Sequence, residues 1–279
     1  MTSGEVGPVA AACHGVVRVF GQGEQETTAL RGIDLTLHAG LVTVVAGPSG
    51  SGKTSLLRLA AAQDRATAGR LEVLGVETGS ASLRQLRSLR RTQLTYVPQR
   101  AARGLLPTLT VAQHVAQVGA LRGTSVDAPA LLDLLGLTSR SDHLPAALSG
   151  GEQQRLAVGL ALVGRPRLVV ADEPTAELDT ENAHRVLDAM HDAAERGAAV
   201  LVSSHDQRVV ERADRLLRLQ HGVLSTDRSR SSRATAVIDS SGRLQLPDEA
   251  LARFPARRVL VEDAGDHVVL RPPPEGEWT

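Results

Sequence analysis

The stretch that decides the fold is Gly47-Pro48-Ser49-Gly50-Ser51-Gly52-Lys53-Thr54, which fits the pattern G-x-x-x-x-G-K-[ST]. Residues 41–46, just before it, form an apolar run rich in β-branched side chains and predict a buried strand. Residues 53–62, which follow it, are good helix formers. In a strand–loop–helix of this kind, several backbone N–H groups face one anion. The stretch therefore predicts a phosphate-binding loop rather than a glycine-rich turn that binds nothing.

Lys53 is the only lysine among the 31 Lys and Arg residues of the chain. A compact ammonium group fits a small pocket between phosphates, whereas the planar guanidinium of arginine is wider. We expect Lys53 to reach the β- and γ-phosphates of a nucleotide and the Thr54 hydroxyl to bind Mg²⁺. The predicted nucleotide-binding residues of the loop are Gly47, Ser49, Gly50, Ser51, Gly52, Lys53 and Thr54.

The composition is that of a globular chain, with 279 residues of which 42% are hydrophobic and 22% charged. The formal net charge is zero, which argues against a surface built for nucleic acid or anionic lipid. Cys13 is the single cysteine, which excludes an internal disulfide framework and is typical of a reducing compartment. Apolar runs stay well below the roughly 20 residues of a membrane span, and the N-terminus lacks a secretory layout. We expect a cytosolic protein.

A second candidate site lies at the end of another predicted strand, where residues 167–171 are followed by Asp172 and Glu173. Ligands bind at the carboxyl ends of the strands of a parallel sheet, so Asp172 is a candidate for holding Mg²⁺. Glu173 is a candidate for the base that takes a proton from an attacking water. By itself, the acidic pair would serve equally well as a helix N-cap. The phosphate loop favours the catalytic interpretation.

The residues between these two motifs point to one family. Leu148-Ser149-Gly150-Gly151-Glu152-Gln153-Gln154-Arg155 closely resembles the signature sequence of ATP-binding cassette (ABC) proteins. Two glycines that open a helix form another anion-binding N-terminus, but this one has no lysine of its own. The resemblance implies that Ser149, Gly150 and Gly151 contact a nucleotide held by a second, head-to-tail subunit. The alternative is a helix cap with a flexible Gly-Gly turn.

The resemblance covers about residues 8–224 and implies roles for four more residues. Phe20 stands where the family stacks an aromatic ring on adenine, although a core phenylalanine is the alternative. Gln99 matches the glutamine that senses Mg²⁺ and the attacking water, and Asp179 matches the loop that contacts the other subunit. His205 matches the histidine near the γ-phosphate, where a lone histidine would otherwise be structural. The implied catalytic residues are Glu173, His205 and Gln99, and the implied Mg²⁺ ligands are Thr54, Gln99 and Asp172.

Residues 20–30 and 105–111 are similar to the branch that serves lipoprotein-release, macrolide and peptide exporters. The resemblance implies an ATP-hydrolysing subunit, with ATP and Mg²⁺ as cofactors, that energises a separate permease of FtsX-like or MacB-like character. It also implies a second ATPase subunit, most simply a second copy, and a cytoplasmic position at the inner face of the membrane. The alternative is a soluble or envelope-regulating ABC ATPase that transports no solute. One phosphate loop and no heptad array favour the transporter.

The predicted fold class is α/β, with the parallel core sheet, antiparallel β subdomain and inserted helical subdomain of the ABC fold. Residues 8–45 predict an antiparallel edge and the first core strand, and about 82–148 predict the helical subdomain. From Asp172 to Leu219, alternating helices and strands complete the parallel sheet. Gly159 lies within the predicted signature helix, where glycine lowers helix stability by up to roughly 1 kcal/mol relative to alanine.

The composition changes after residue 224, where we expect the ATPase domain (1–224) to end. Residues 225–233 are polar and predict a linker. Residues 234–279 predict two hairpins, such as Val237 facing Leu244, with a Pro-started helix between them. This small β-rich segment resembles the swapped-hairpin domain of AbrB-like regulators. Its acids outnumber its arginines, which argues against DNA, so we expect a dimerisation or docking module. Packing of the segment onto the ATPase domain is the alternative.

Overall fold

The structure, a computed structural model, describes residues 7–21, 26–176 and 178–229, and in the C-terminal part 235–236, 238, 242, 244, 246, 248–254, 259–265 and 267–272. Its strands are β1 Val9–Phe20, β2 Thr27–His38, β3 Val42–Ala46, β4 Ala68–Val73, β5 Val76–Glu77, β6 Leu94–Val97, β7 Leu168–Asp172, β8 Ala199–Ser203, β9 Arg215–Gln220, β10 Val223–Ser229, β11 Thr235–Ala236, β12 Leu260–Asp263 and β13 Val268–Arg271. Its helices are α1 Lys53–Ala60, α2 Leu83–Thr92, α3 Val111–Arg122, α4 Ala128–Leu134, α5 Gly150–Leu162, α6 Thr180–Glu195, α7 Gln207–Glu211 and α8 Asp248–Leu251.

A seven-stranded sheet, in the order β11-β10-β9-β3-β8-β7-β6, runs through the centre of the fold. The five strands from β9 to β6 are parallel, and β10 and β11 add to one edge in antiparallel fashion. Strands β3, β7 and β8 are buried along their whole length, which explains their continuous apolar sequences. Because these three strands are parallel neighbours, the loops that follow them meet at one edge of the sheet.

A four-stranded antiparallel sheet, in the order β2-β1-β4-β5, lies beside the central sheet. Its buried side chains share one hydrophobic cluster with α1 and with one face of the central sheet, for example Val16, Leu30, Leu56 and Leu201. The opposite face of the central sheet packs against α6 and α7 in a second cluster. The predicted α/β fold and the predicted antiparallel edge at residues 8–45 are both confirmed.

The helical subdomain differs from its predicted bounds of about 82–148. Helix α2 belongs to the body of the domain, because Leu86 and Leu89 are buried in the cluster beneath the antiparallel sheet. Strand β6, which follows it, pairs with β7 in the central sheet. The separate cluster of the helical lobe instead runs from Val111 to Leu156 and so includes α5. Gly159 of α5 leaves room for Leu135, since a Cβ at position 159 would lie 2.2 Å from Leu135 Cδ1 and would displace that side chain.

The predicted linker at 225–233 is wrong for residues 225–229, which lie in β10 and pair with β9. Ser225 and Thr226 are buried, and Asp227 forms an ion pair of 2.5 Å with Arg215 of β9. Pairing with β9 satisfies the backbone, so polar side chains do not prevent a strand here. The sheet therefore continues past the predicted domain boundary at 224, and β11 extends it further. Residues 230–234 of the predicted linker lie outside the described residues.

The C-terminal part contains elements of both predicted hairpins. Strands β12 and β13 pair antiparallel, which confirms the second hairpin. An antiparallel bridge between Ile238 and Leu244 agrees with the first, while Val237 and Pro247 lie outside the described residues. Helix α8 stands where the Pro-started helix was predicted. Within the described ranges, no helix combines the length and the apolar character that a bilayer crossing requires.

Candidate nucleotide-binding site

The phosphate loop joins β3 to α1 in a conformation that needs glycine at two positions. A Cβ at position 47 would lie 2.1 Å from the carbonyl oxygen of Leu219, so the backbones approach too closely for a side chain. Gly52 has a φ of +104°, and a Cβ there would lie 2.4 Å from the carbonyl oxygen of Ala29. The loop is therefore held against the neighbouring backbone, and α1 begins directly after it at Lys53.

Two polar groups in the loop favour an anionic ligand. Lys53 Nζ donates hydrogen bonds to the carbonyl oxygens of Gly47 (2.7 Å) and Pro48 (3.0 Å), which places its charge over the loop. Ser51 Oγ is buried and has no hydrogen-bond partner among the described residues. Because a buried hydroxyl without a partner is costly, this group fits a site completed by a bound molecule. The loop thus offers a cation, the exposed start of a helix and a free hydroxyl for phosphate oxygens.

The predicted Mg²⁺ ligands Thr54 and Asp172, 118 residues apart, are in direct contact. Thr54 Oγ1 donates a hydrogen bond of 2.8 Å to Asp172 Oδ2. Ser203 Oγ donates to the other carboxylate oxygen, Oδ1, at 2.5 Å. Burial, together with the negative charge and hydrogen bond of Asp172, raises the pKa of Tyr96 to about 12, so its phenol stays protonated. Hydroxyl and carboxylate oxygens are the ligand types that suit Mg²⁺, and these residues fit it.

The three predicted catalytic side chains also come together. Glu173 Oε1 lies 3.1 Å from His205 Nδ1, and Glu173 Oε2 accepts a hydrogen bond of 3.5 Å from Gln99 Nε2. Glu173 adopts a left-handed backbone conformation with φ of +47°, which is uncommon for a residue other than glycine. Its N–H donates to the carbonyl oxygen (3.1 Å) and the hydroxyl oxygen (3.0 Å) of Ser203. The backbone turn thus directs the carboxylate between Gln99 and His205.

Phe20 ends β1 and is 40% exposed, so the alternative that it belongs to the core is wrong. The Arg18 guanidinium lies over its ring, 4.5 Å from the ring centre. A cation over one face of the ring leaves the other face as the surface on which a base could stack. The role of Phe20 at adenine stays a prediction.

The signature stretch starts α5 with a capping box. Ser149 Oγ accepts a hydrogen bond from the backbone N–H of Glu152 (3.2 Å), and the Glu152 carboxylate accepts one from the Ser149 N–H (2.8 Å). That N–H and the nearby Arg140 lower the pKa of Glu152. Gly150 is exposed, and a Cβ there would meet nothing within 4 Å. Within the described chain, no hydrogen bond joins this helix start to the phosphate loop.

The signature stretch contacts instead the loop that follows Asp172. Gln154 Nε2 donates to the carbonyl oxygen of Pro174 at 3.3 Å. A Cβ on Gly151 would lie 3.3 Å from Leu178 Cδ2, so the loop packs closely on the helix start. Asp179 caps α6 by accepting from the Asn182 N–H (2.8 Å), a bond that lowers the pKa of its carboxylate. Asp179 therefore lies at the start of α6, next to the Leu178 contact with the signature helix.

The comparison with known proteins decides the family. The model of the family described as "ABC transporter" matches residues 30–176, slightly more than half of the chain. The chain belongs to the ABC transporter family. It is therefore an ATP-binding protein and an ATPase.

Several relatives locate the chain within the ABC family. The lipoprotein-releasing system ATP-binding protein LolD of Ruegeria sp. is 42% identical over 205 residues, which cover 71% of this chain and 89% of LolD. The macrolide export ATP-binding/permease protein MacB of Rhodopseudomonas palustris is 36% identical over 80% of this chain. Those residues make up only 34% of MacB. The chain is of LolD and MacB type.

Solved ABC structures agree with the fold. The ATP-binding cassette MJ0796, in a dimeric post-hydrolysis state bound to ADP and Pi, superimposes with a TM-score of 0.72. The match covers 80% of this chain and all of MJ0796, at 27% identity. A second dimeric structure of the same cassette gives a TM-score of 0.71. These matches confirm the fold class predicted from the sequence, which is that of an ABC cassette.

Sequence reasoning missed two residues of this ABC site, Ser203 and Tyr96. Both contact Asp172 from other strands. Ser203 lies 31 residues after Asp172 in the sequence, and Tyr96 lies 76 residues before it. The one local signal for Ser203 was its place as a polar residue closing the apolar strand β8. Tyr96 carried no signal beyond its position two residues before Pro98.

Proposed function

We propose that this chain is the ATPase subunit of an exporter-type ABC system and that it energises a separate membrane permease. The observation that carries the proposal is Glu173, held between Gln99 and His205 and directly after Asp172. The relatives support an ATPase chain that is separate from its permease. LolD is an ATP-binding protein that this chain matches over most of its length, whereas MacB joins ATP-binding and permease parts in one chain.

The site residues suggest how hydrolysis proceeds. The loop N–H groups and Lys53 bind the nucleotide phosphates and orient the γ-phosphate. Thr54, Asp172 and Gln99 would hold Mg²⁺, which would neutralise the phosphate charge when bound. Glu173 takes the proton of the attacking water at its carboxylate. His205 donates a hydrogen bond from Nδ1–H to Oε1 of that carboxylate and so fixes its orientation.

The signature residues complete the site in a dimer. Ser149, Gly150 and Gly151 form an anion-binding helix start without a lysine, while the phosphate loop lies elsewhere in the chain. Two copies arranged head to tail would bring the helix start of one to the loop of the other. Asp179, at the Leu178 contact with Gly151, would then lie close to the partner subunit. The dimeric MJ0796 cassettes support this arrangement.

The permease would place the ATPase at the inner face of the cell membrane, in the cytoplasm.

The C-terminal segment 234–279, which resembles AbrB-like hairpin domains in sequence, would serve dimerisation or docking. Val261 and Val268 support this role, since they are 63% and 61% exposed on β12 and β13. An apolar hairpin of two strands is marginal in water unless a partner covers it.

Affinity purification of the full chain from detergent-solubilised membranes of its own host tests the proposal. We expect one multi-span permease to co-purify and to raise the Mg²⁺-dependent ATPase rate several-fold. If the purified chain hydrolyses ATP but no multi-span protein co-purifies with it, the result would support the alternative, an ABC ATPase that transports no solute. Absence of hydrolysis by the chain with its permease would overturn the proposal.

A further inference from the structure

One hydroxyl contacts both carboxylate residues of the site. Ser203 is the last residue of β8 and is fully buried. In the parallel pairing of β7 and β8 it stands beside Asp172, so its side chain lies at the same edge of the sheet. Its Oγ donates to Asp172 Oδ1 at 2.5 Å and accepts from the Glu173 N–H at 3.0 Å.

The direction of each hydrogen bond is fixed by chemistry. An ionised carboxylate only accepts and a backbone N–H only donates, so the single hydroxyl hydrogen must point to Asp172. The oxygen lone pairs are then left for the Glu173 N–H. Among the described residues, the side chains of Thr54 and Tyr96 also contact Asp172, and those of Gln99 and His205 contact Glu173. Ser203 contacts both residues.

The Glu173 backbone has a particular need for this support. Its φ of +47° lies in the left-handed region, which a glutamate occupies only when its surroundings hold it there. The Ser203 carbonyl oxygen also accepts from the Glu173 N–H, at 3.1 Å, so Ser203 binds this N–H through two oxygens, its carbonyl and its hydroxyl. Removal of the hydroxyl would leave one of these oxygens and would take a donor from Asp172.

We propose that Ser203 is a positioning residue that sets the orientation of Asp172 and Glu173 relative to each other. The inference rests on the proposed function, in which these two carboxylates serve ATP hydrolysis. Ser203 does not touch the reacting atoms and acts through the carboxylates. Its loss lowers kcat while leaving nucleotide binding intact, because the phosphate loop does not contact it in the described structure.

The test compares Ser203→Ala and Ser203→Cys, which remove or weaken the hydrogen bonds, with Ser203→Thr, which keeps the hydroxyl. Ser204→Ala is the matched control, because Ser204 is also buried but, in the described part of the chain, its Oγ contacts neither carboxylate and accepts from the Asp206 N–H at 3.0 Å. Four quantities are measured on the full chain: affinity for a fluorescent ATP analogue in EDTA, kcat and KM for ATP with Mg²⁺, and the unfolding temperature.

We expect Ser203→Ala and Ser203→Cys to lower kcat about tenfold, with the KM and the affinity in EDTA within about twofold of wild type. Ser203→Thr should recover most of the rate, and Ser204→Ala should match wild type. Wild-type kcat in Ser203→Ala or Ser203→Cys would overturn the inference, as would equal loss in Ser203→Thr and Ser203→Cys. If Ser203→Ala fails to fold, the Cys–Thr comparison decides. A wild-type chain without ATPase activity would overturn the proposed function itself, and the inference with it.

Discussion

The carboxylate of Glu173 and the imidazole of His205 meet through Oε1 and Nδ1 at 3.1 Å, across two loops that follow neighbouring strands. The Glu173 side chain is 17% exposed and that of His205 is 73% exposed. The carboxylate is therefore largely shielded, while the histidine faces outward, where a ligand or a second subunit can reach it.

Glu173→Gln should retain ATP binding but lose ATP hydrolysis by about 100-fold or more, because the amide keeps the shape of the carboxylate and loses its basicity. The retained nucleotide should trap a dimer. Steady-state ATPase assays and sedimentation with ATP measure both effects. Glu181→Gln is the control, since the Glu181 side chain is exposed and, among the described residues, forms its ion pair with Arg185 one turn away. A wild-type rate in Glu173→Gln would contradict the assignment of the base.

Lys53→Arg should weaken nucleotide binding or turnover at least about tenfold, because the pocket takes a compact cation and the guanidinium is a wider fork. Titration with a fluorescent ATP analogue, followed by an ATPase assay, measures the effect. Arg58→Lys, the reverse exchange on the same helix, should change affinity less than about twofold, since Arg58 lies in an exposed ion pair with Asp64. Equal behaviour of the two variants would mean that the lysine is retained for another reason.

Gly52→Ala should destabilise the phosphate loop. The added methyl would lie 2.4 Å from the Ala29 carbonyl oxygen, and the φ of +104° is unfavourable for alanine. We expect the free energy of unfolding to fall by about 2 kcal/mol, as measured by urea denaturation, and ATP affinity to fall with it. Gly104→Ala is the matched control, because a Cβ there meets nothing within 4 Å. A Gly52→Ala protein as stable as the control would show that the loop can relax.

A chain ending at Arg233 should keep its ATP site but associate more weakly in the absence of nucleotide, whereas nucleotide-driven pairing through Lys53 and Ser149 should persist. Sedimentation of both chains without ATP measures this. Equal monomeric behaviour would contradict a dimerisation role. Salt-sensitive binding of duplex DNA by the full chain, lost on truncation, would contradict the charge argument against nucleic acid.

Point variants of the hairpin refine the same test. Cross-strand pairing places Val261 opposite Leu270 and Val268 opposite Asp263, so Val261 and Val268 lie on one face. The combined Val261→Ser and Val268→Ser variant should weaken association as the truncation does. Glu262→Gln is the control on the other face, where Glu262 pairs with Arg271 at 3.3 Å. If the control weakens association equally, the apolar face is not the contact.

The tertiary structure differs from the prediction where contacts with neighbouring strands and helices override the local sequence pattern. The polar run 225–229 was expected to be a linker but is held in β10 by pairing with β9 and by the Arg215–Asp227 ion pair. Helix α2 was assigned to the helical lobe, yet Leu86 and Leu89 pack into the body. In both places the local sequence fits two structures, and only the available partner strand or cluster selects one.

The sequence by itself determined the elements whose chemistry is written in consecutive residues: the glycine loop ending in Lys53, the capped signature helix starting at Ser149, and the carboxylates that close β7. These depend on backbone conformation and on residue type over a few positions, which a local pattern specifies. Only the tertiary structure decided that Ser203 contacts Asp172 and Glu173, and that Phe20 is exposed. Contacts between separate strands depend on strand order and register, and a single strand carries no record of which neighbour it will pair with.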